Sequence, residues 1–292
     1  MTVAQLLAQA ARELRDAGVE SPDWDAERLI RHVLGWDRAA LVALPEAEVA
    51  PDREAELRRL VRERARRVPL QHLTGTQAFW KQELRVTPDV LIPRPETELL
   101  VEAALELLRG AARPVIADVG TGSGCIALAL AAEREDAELH ATDLSEAALA
   151  VARDNERRLG LEGRVAWQLG DLLDPVAAAI RGRGDLVVSN PPYVDQAERE
   201  SLAPEVRDHE PELALFPPGD ALSVYRRLVP AAADVLKPGG ALVVEIAPAL
   251  DRAVAGLLDA AGFEGIEVRP DLAARPRAVL GRRPLRPRSR VG

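Results

Sequence analysis

From residue 115 onward the chain alternates short apolar runs with amphipathic stretches, and that alternation admits few folds. Extended pieces are predicted at 115–119, 139–143, 165–169, 186–189, 241–246, 263–269 and 278–281. Helical spacing occupies 123–132, 146–159, 225–236 and 250–261. A strand joined to the next through a helix re-enters the sheet in parallel, so the expected architecture is α/β, a mostly parallel sheet covered on both faces.

Ahead of this region the period is helical throughout. Thr2 can cap a helix whose Val3, Leu6, Leu7, Ala10 and Leu14 share one face, and Gly18 can end it. Ser21 and Pro22 open a second, with Leu29, Ile30, Val33 and Leu34 inward and Gly35 as its stop. Pro51 opens a third that carries Leu57, Leu60, Val61 and Val68 as far as Pro69. Across 75–95 short extended pieces are broken by Pro88, Pro93 and Pro95. The expected organisation is a helical domain at 1–74, a hairpin linker at 75–95 and the α/β domain at 96–292, with no internal repeat.

Composition narrows the function. With 47% hydrophobic and 29% charged residues in 292, the chain can bury a core, which excludes a disordered or fibrous protein. A net charge of -9 sets it against a phosphate backbone, so no stable nucleic-acid binding is expected. The longest apolar run, 126–132, stops at Glu133, far short of the roughly 20 residues a membrane helix needs. One cysteine, Cys125, and no positively charged leader point to the cytoplasm. His32, His72, His140 and His209 lack metal-ligand spacing, so no metal is expected. Arginines 58, 59, 62, 64, 66 and 67 are interleaved with Glu54, Glu56 and Glu63 and read as a solvated helix face.

Two motifs carry chemistry. Asp118-Val119-Gly120-Thr121-Gly122-Ser123-Gly124 joins the first strand of the α/β region to its first helix, where backbone N–H groups can approach a ligand. Cys125 stands where a dinucleotide fingerprint needs its third glycine and where a P-loop needs lysine, which weakens both readings. A G-x-G-x-G loop followed by an acid at the end of the second strand, Asp143, is instead the pattern of S-adenosylmethionine methyltransferases, with the acid accepting hydrogen bonds from ribose hydroxyls. Asp118 can stabilise the turn or attract a ligand's cationic group.

The second motif, Asn190-Pro191-Pro192-Tyr193, follows the strand at 186–189. Pro192 restricts Pro191 to extended geometry and neither proline has an N–H, so the corner is stiff and rich in acceptors. A primary amide or aromatic amine has two N–H donors, which the Asn190 side-chain oxygen and the Pro191 carbonyl can take together. Tyr193 can offer its ring to a planar substrate group or plug the sheet edge.

At these residues the chain resembles the release-factor glutamine methyltransferases, which methylate the side-chain amide of a glutamine in peptide chain release factors. The resemblance spans nearly the whole chain. It also rests on Leu91-Ile92-Pro93-Arg94-Pro95-Glu96-Thr97-Glu98, on residues 75–80, on Glu210-Pro211 and on the helical domain in front. It implies a Rossmann-like class I methyltransferase sheet, S-adenosyl-L-methionine as cofactor and S-adenosyl-L-homocysteine as product. By resemblance, Gly120, Thr121, Gly122, Ser123 and Gly124, with Asp118 beside them, hold the methionine end of the cofactor. Asp143 then takes the ribose, Asp171 and Leu172 flank the adenine, and Asn190 borders both ligands. Asn190, Pro191, Pro192 and Tyr193 hold the substrate glutamine, with Asn190, Pro191 and Tyr193 as the catalytic set.

The implied partner is a release factor, which carries that glutamine in a Gly-Gly-Gln loop, recognised by a monomeric enzyme through its N-terminal helices. Arg94 and Glu96 can shape the rim of the site or pair within the linker. The chain departs from the pattern at Leu172, where some members carry an aromatic, and at Ala247 and Ala274, where glycine is common. Two rivals stand beside this reading. One is an amino-methyltransferase acting on adenine, whose exocyclic amine presents the same two donors; the other is a cofactor-sensing binding module without turnover.

Overall fold

The computed structural model describes residues 1–285, and the chain divides into two units. Residues 1–76 together with 202–209 form one; residues 77–201 and the chain from 210 onward form the other.

The first unit holds α1 (Val3–Asp16), α2 (Pro22–Leu34), α3 (Arg38–Ala43), α4 (Pro51–Ala65) and α5 (Leu70–Thr74). Thr2 caps α1 reciprocally: Gln5 N–H donates to Thr2 Oγ1 at 3.3 Å, and Thr2 N–H donates to Gln5 Oε1 at 3.1 Å. Gly35 closes α2 at φ 68°, a conformation that glycine adopts without strain. Leu6, Leu14, Leu29, Ile30 and Leu57 meet inside. Two short helices, α3 and α5, fall outside the sequence expectation, each too brief for the helical period to repeat.

The basic run departs from a purely solvated face. Arg58 does pair with Glu54 one turn away, but Arg64 is only 6% exposed and donates to Asp25 Oδ2 at 2.6 Å. Arg64 and Arg67 both reach Glu205 in the returning segment, at 2.8 and 2.7 Å. Burial pushes the Glu205 carboxyl up, but hydrogen bonds from Arg67, the backbone and Arg64 outweigh it and hold it down at about 2. Charge spacing along one helix reveals its own one-turn neighbours and cannot reveal a carboxylate 138 residues further on.

A two-stranded hairpin, β1 (Thr76–Phe79) and β2 (Gln82–Arg85), follows in the chain. Next comes α6 (Glu98–Leu107), missed by the strand-and-helix reading although its Leu100, Val101, Ala103 and Ala104 are buried at helical spacing. The sheet contains β3 (Val115–Val119), β4 (Glu138–Asp143), β5 (Val165–Leu169), β6 (Gly184–Ser189), β7 (Leu236–Glu245), β8 (Glu264–Pro270) and β9 (Pro276–Arg282). Between them lie α7 (Cys125–Glu133), α8 (Glu146–Arg158), α9 (Ala177–Ile180), α10 (Pro204–His209), α11 (Glu212–Leu215), α12 (Ser223–Val235) and α13 (Asp251–Ala260).

Strand order is β5-β4-β3-β6-β7-β9-β8, with β3 to β7 paired in parallel and β9 antiparallel to both neighbours. Along β6, Leu186 and Val188 enter one core with Ile116 and Leu128, while Val187 enters the other with Tyr225 and Leu228. That period of two, apolar on both faces, belongs to a parallel strand covered on each side.

Topology places the site. The chain leaves β3 to one side through β4 and β5, then returns to β6 on the opposite side, and ligands bind where such a switch opens a crevice at the strands' carboxyl ends. Val119 is in register with Thr142 on β4 and with Ser189 on β6. Gly120, Asp143 and Asn190, the next residues along, therefore stand at one level, with Asp143 the last residue of β4. Among the described residues, no helix is long and apolar enough to cross a membrane.

Candidate active site

The glycine loop is laid over the end of β4. Gly120 N–H and Thr121 N–H donate to the Thr142 carbonyl at 2.9 and 3.0 Å, and Gly122 N–H donates to Asp143 Oδ2 at 2.8 Å. The other Asp143 oxygen accepts from Ser145 N–H at 2.9 Å, so the carboxylate is fixed from both sides. Burial raises its affinity for a proton, opposed by the hydrogen bonds from Ser145 and Gly122.

Gly120, Gly122 and Gly124 have φ of 69°, 55° and 82°. At Gly124 a Cβ would lie 3.0 Å from Trp167 and 3.1 Å from Ala152 and Leu128, so the interior leaves no room for a side chain. At Gly120 and Gly122 a Cβ would meet nothing within 4 Å, because that side of the loop faces open space.

A cavity of about 190 Å³ occupies that space. It brings together Gly120, Thr121, Gly122, Ser123, Asp143, Asp171, Leu172, Asn190, Pro191 and Pro192, ten of the thirteen residues expected at the site. Asp118, Gly124 and Tyr193 do not line it. Asp118 is 1% exposed and holds the loop in place, its Oδ2 accepting from Thr121 Oγ1 at 2.6 Å and from Ala127 N–H at 3.2 Å. Burial pushes its carboxyl up to about 7 against those two hydrogen bonds. Of its two sequence readings, the turn-stabilising one matches this geometry.

Of the two residues expected to flank an adenine, Asp171 pairs with Arg227. Leu172 sits at φ 47°, and its carbonyl accepts from Thr142 Oγ1 at 2.6 Å, which pins the turn to the sheet. Of the other departures from the family pattern, Ala274 lies at φ 59°, a region glycine fills more readily, whereas Ala247 has an ordinary φ of -68°.

The corner after β6 is tied from three directions. Ser189 Oγ donates to the Val119 carbonyl at 2.7 Å, Asn190 Nδ2 donates to Thr97 Oγ1 at 3.2 Å, and Tyr193 donates to Glu245 Oε1 at 3.2 Å. The Tyr193 ring packs against the core that contains Tyr225 and Val244. Burial, and then the Glu245 charge, push its phenol well above the usual range. Tyr193 thus buttresses the corner from behind.

The sequence reading did not place several cavity residues: Val90, Leu91, Pro93 and Thr97 from ahead of the sheet, and Leu213, Pro218 and Val224 from beyond the corner. The signal was present in the run from Leu91 to Glu98. Arg94 both lines the cavity and pairs with Glu210, whose Oε2 also accepts from Ile92 N–H at 3.0 Å. Arg94 thus stands in the cavity wall while paired to a carboxylate outside the linker.

This donor set suits a nucleoside bearing a charged tail. Glycine backbone can approach it closely, a fixed carboxylate can accept from vicinal hydroxyls, and Leu144, Leu172 and Val224 offer apolar surface. The Ser123 hydroxyl, buried and without a hydrogen-bond partner among the described residues, lines the same cavity. Cys125 begins α7, where burial, reinforced by the Asp118 charge, pushes its thiol up to about 12 and makes it a poor nucleophile. Among the described residues, no group of three or more His, Cys, Asp or Glu could hold a metal ion.

Comparison with known proteins gives the family. Residues 5–75 match the family described as PrmC N-terminal domain, and residues 95–208 the family described as Methyltransferase small domain. A release factor glutamine methyltransferase from Cereibacter sphaeroides is 44% identical over 286 residues, covering 97% of this chain and 99% of that protein. One from Deinococcus radiodurans is 46% identical over 283 residues, covering 97% and 99%. The solved hMettl16 catalytic domain in complex with MAT2A 3'UTR hairpin 6 shares the fold, with a TM-score of 0.56 at 14% identity over 83% of this chain and 84% of that one. With two relatives matched along almost their full length and the site assembled at the switch point, the chain belongs to the release factor glutamine methyltransferase family.

Proposed function

We propose that this protein transfers a methyl group from S-adenosyl-L-methionine to the side-chain amide nitrogen of the glutamine in the Gly-Gly-Gln loop of peptide chain release factors. It acts as a cytoplasmic monomer, and its N-terminal helices at 1–74 recognise the substrate. The observation that carries this reading is the placement of Asn190 and Pro191 in the wall of the cavity that the glycine loop also lines.

When bound, the cofactor supplies a methyl group activated by a sulfonium. Gly120, Thr121, Gly122 and Ser123 line the space that would take its methionine end, Asp143 would accept from its ribose, and Asp171 and Leu172 would border its adenine. Asn190 Oδ1 and the Pro191 carbonyl accept the two N–H bonds of the glutamine amide and fix the direction of its nitrogen. An amide nitrogen is a weak nucleophile because its lone pair is delocalised, so the corner acts by holding it in line at near-attack distance, roughly 3 Å. The new N–C bond replaces the methyl–sulfur bond, S-adenosyl-L-homocysteine is the leaving group, and one of the two protons held by Asn190 Oδ1 and the Pro191 carbonyl is released to solvent. A glutamate side chain would set acceptor against acceptor, at a cost of about 1–3 kcal/mol for each group left unpaired, which makes the site selective for the amide.

The test is methyl transfer to a purified release factor, to the same factor with the loop glutamine changed to alanine, and to duplex DNA and RNA. Incorporation into the first alone is expected. Equal labelling of the alanine substrate, or transfer to nucleic acid instead, would overturn the proposal.

A further inference from the structure

We infer that Thr97 and Glu245 are positioning residues that decide which end of the Asn190 amide faces the substrate, and so select a substrate nitrogen that donates. The inference rests on the glutamine-methylation reading.

Thr97 closes the short turn Pro95–Thr97 just ahead of α6 and is 2% exposed. Its hydroxyl has one proton, committed to Glu245 Oε2 at 2.6 Å. Only lone pairs remain on Thr97 Oγ1 for Asn190, and these accept from Nδ2 at 3.2 Å. With the amide turned over, Oδ1 would face an oxygen with no proton to give. Nδ2 is therefore held toward Thr97, and Oδ1 is the amide atom left for the cavity that Asn190 lines.

The direction of this chain is set at Glu245, the last residue of β7, which is 1% exposed. Each of its oxygens is engaged by a different segment, Oε2 by Thr97 and Oε1 by Tyr193. Its backbone carbonyl accepts from Tyr225 at 2.7 Å. Burial pushes the Glu245 carboxyl up, opposed first by the hydrogen bonds from Thr97 and Tyr193 and then by the charge of Arg277, whose guanidinium lies 3.4 Å from Asp271. A carboxylate only accepts, so every hydroxyl touching it must point inward, and the polarity passes from Glu245 through Thr97 to Asn190. Neither Glu245 nor Tyr193 lines the cavity, so both act through Asn190 and the corner rather than on a ligand.

The test compares wild type, Thr97→Val and Thr97→Ser in cofactor affinity and in steady-state methylation of a release factor. Valine keeps the shape and removes the hydroxyl; serine restores it. Expected is a kcat about tenfold or more below wild type for Thr97→Val, the size of one lost hydrogen bond in the transition state, with cofactor Kd unchanged and kcat recovered in Thr97→Ser. Should Thr97→Val fail to fold because a carboxylate oxygen is orphaned, the double variant Thr97→Val with Glu245→Gln removes that buried charge and carries the same expectation. A folded valine variant with wild-type kcat, or a loss that serine does not restore, overturns the role of Thr97 while wild-type turnover leaves the glutamine reading standing. Absence of glutamine methylation by the wild type overturns both.

Discussion

Single residues act here through the partners that hold them. Asn190 was legible in the sequence because its chemistry is local: an amide oxygen beside a proline carbonyl is an acceptor pair wherever the chain runs. Its orientation was not legible, because it depends on Thr97 and on Glu245, 148 residues further along, and no local pattern reports such a pairing. Asn190→Ala is expected to lower kcat by about a hundredfold or more while changing cofactor affinity less than about tenfold, readable by calorimetry beside a rate assay. Comparable losses in both would mean that the residue builds the cofactor pocket instead. Asp118 makes a separate prediction. With its carboxyl at about 7 in the folded chain against an ordinary value of 3.8, its protonated form is favoured by folding, so this contribution is greatest in acid and is lost as the pH rises through 7. Asp118→Asn keeps an oxygen for Thr121 and Ala127 and has no charge to bury. Its thermal midpoint should therefore gain on that of the wild type between about pH 4 and about pH 7 and run parallel above. A gap that stays constant across that range would contradict the assignment.

At the scale of elements, the glycine loop shows two different needs for the same residue type. Gly122 keeps open the side that faces the cavity, and Gly124 lets α7 pack against Trp167, Ala152 and Leu128. Gly122→Ala is expected to cost about 1–2 kcal/mol in backbone strain and to weaken cofactor binding. Gly124→Ala, which adds overlap to that strain, should cost about 2–4 kcal/mol in chemical denaturation. If both variants lost cofactor affinity without losing stability, the packing role given to Gly124 would be wrong. The sheet strands and the long helices other than α6 were readable from their periods, since an apolar run of five residues between helices has few alternatives. The short helices α9, α10 and α11 were not, because pieces of four to six residues do not repeat the helical period and take their form from what surrounds them.

For the whole molecule, the order of strands explains why two distant motifs share one cavity. The register of Val119 with both Thr142 and Ser189 places the glycine loop, the acid that ends β4 and the corner after β6 together at the carboxyl ends of the strands. Alternation of strands and helices forecasts a parallel sheet without stating its order, so the meeting of these motifs was inferred from their chemistry before topology supplied the reason. The segment 202–209, which leaves the sequence of the α/β unit to join the helical one, had no such forewarning: its ties are the ion pairs of Glu205 with Arg64 and Arg67. All of the proposed chemistry depends on two oxygens at the corner holding one NH2 group. The measurement that addresses this most directly is a crystal structure of the protein with S-adenosyl-L-homocysteine and a Gly-Gly-Gln peptide. The glutamine Nε2 should lie within about 3 Å of both Asn190 Oδ1 and the Pro191 carbonyl, on the side of the cofactor sulfur. A peptide amide bound elsewhere, or an Asn190 amide that presents Nδ2 to the substrate, would contradict the account.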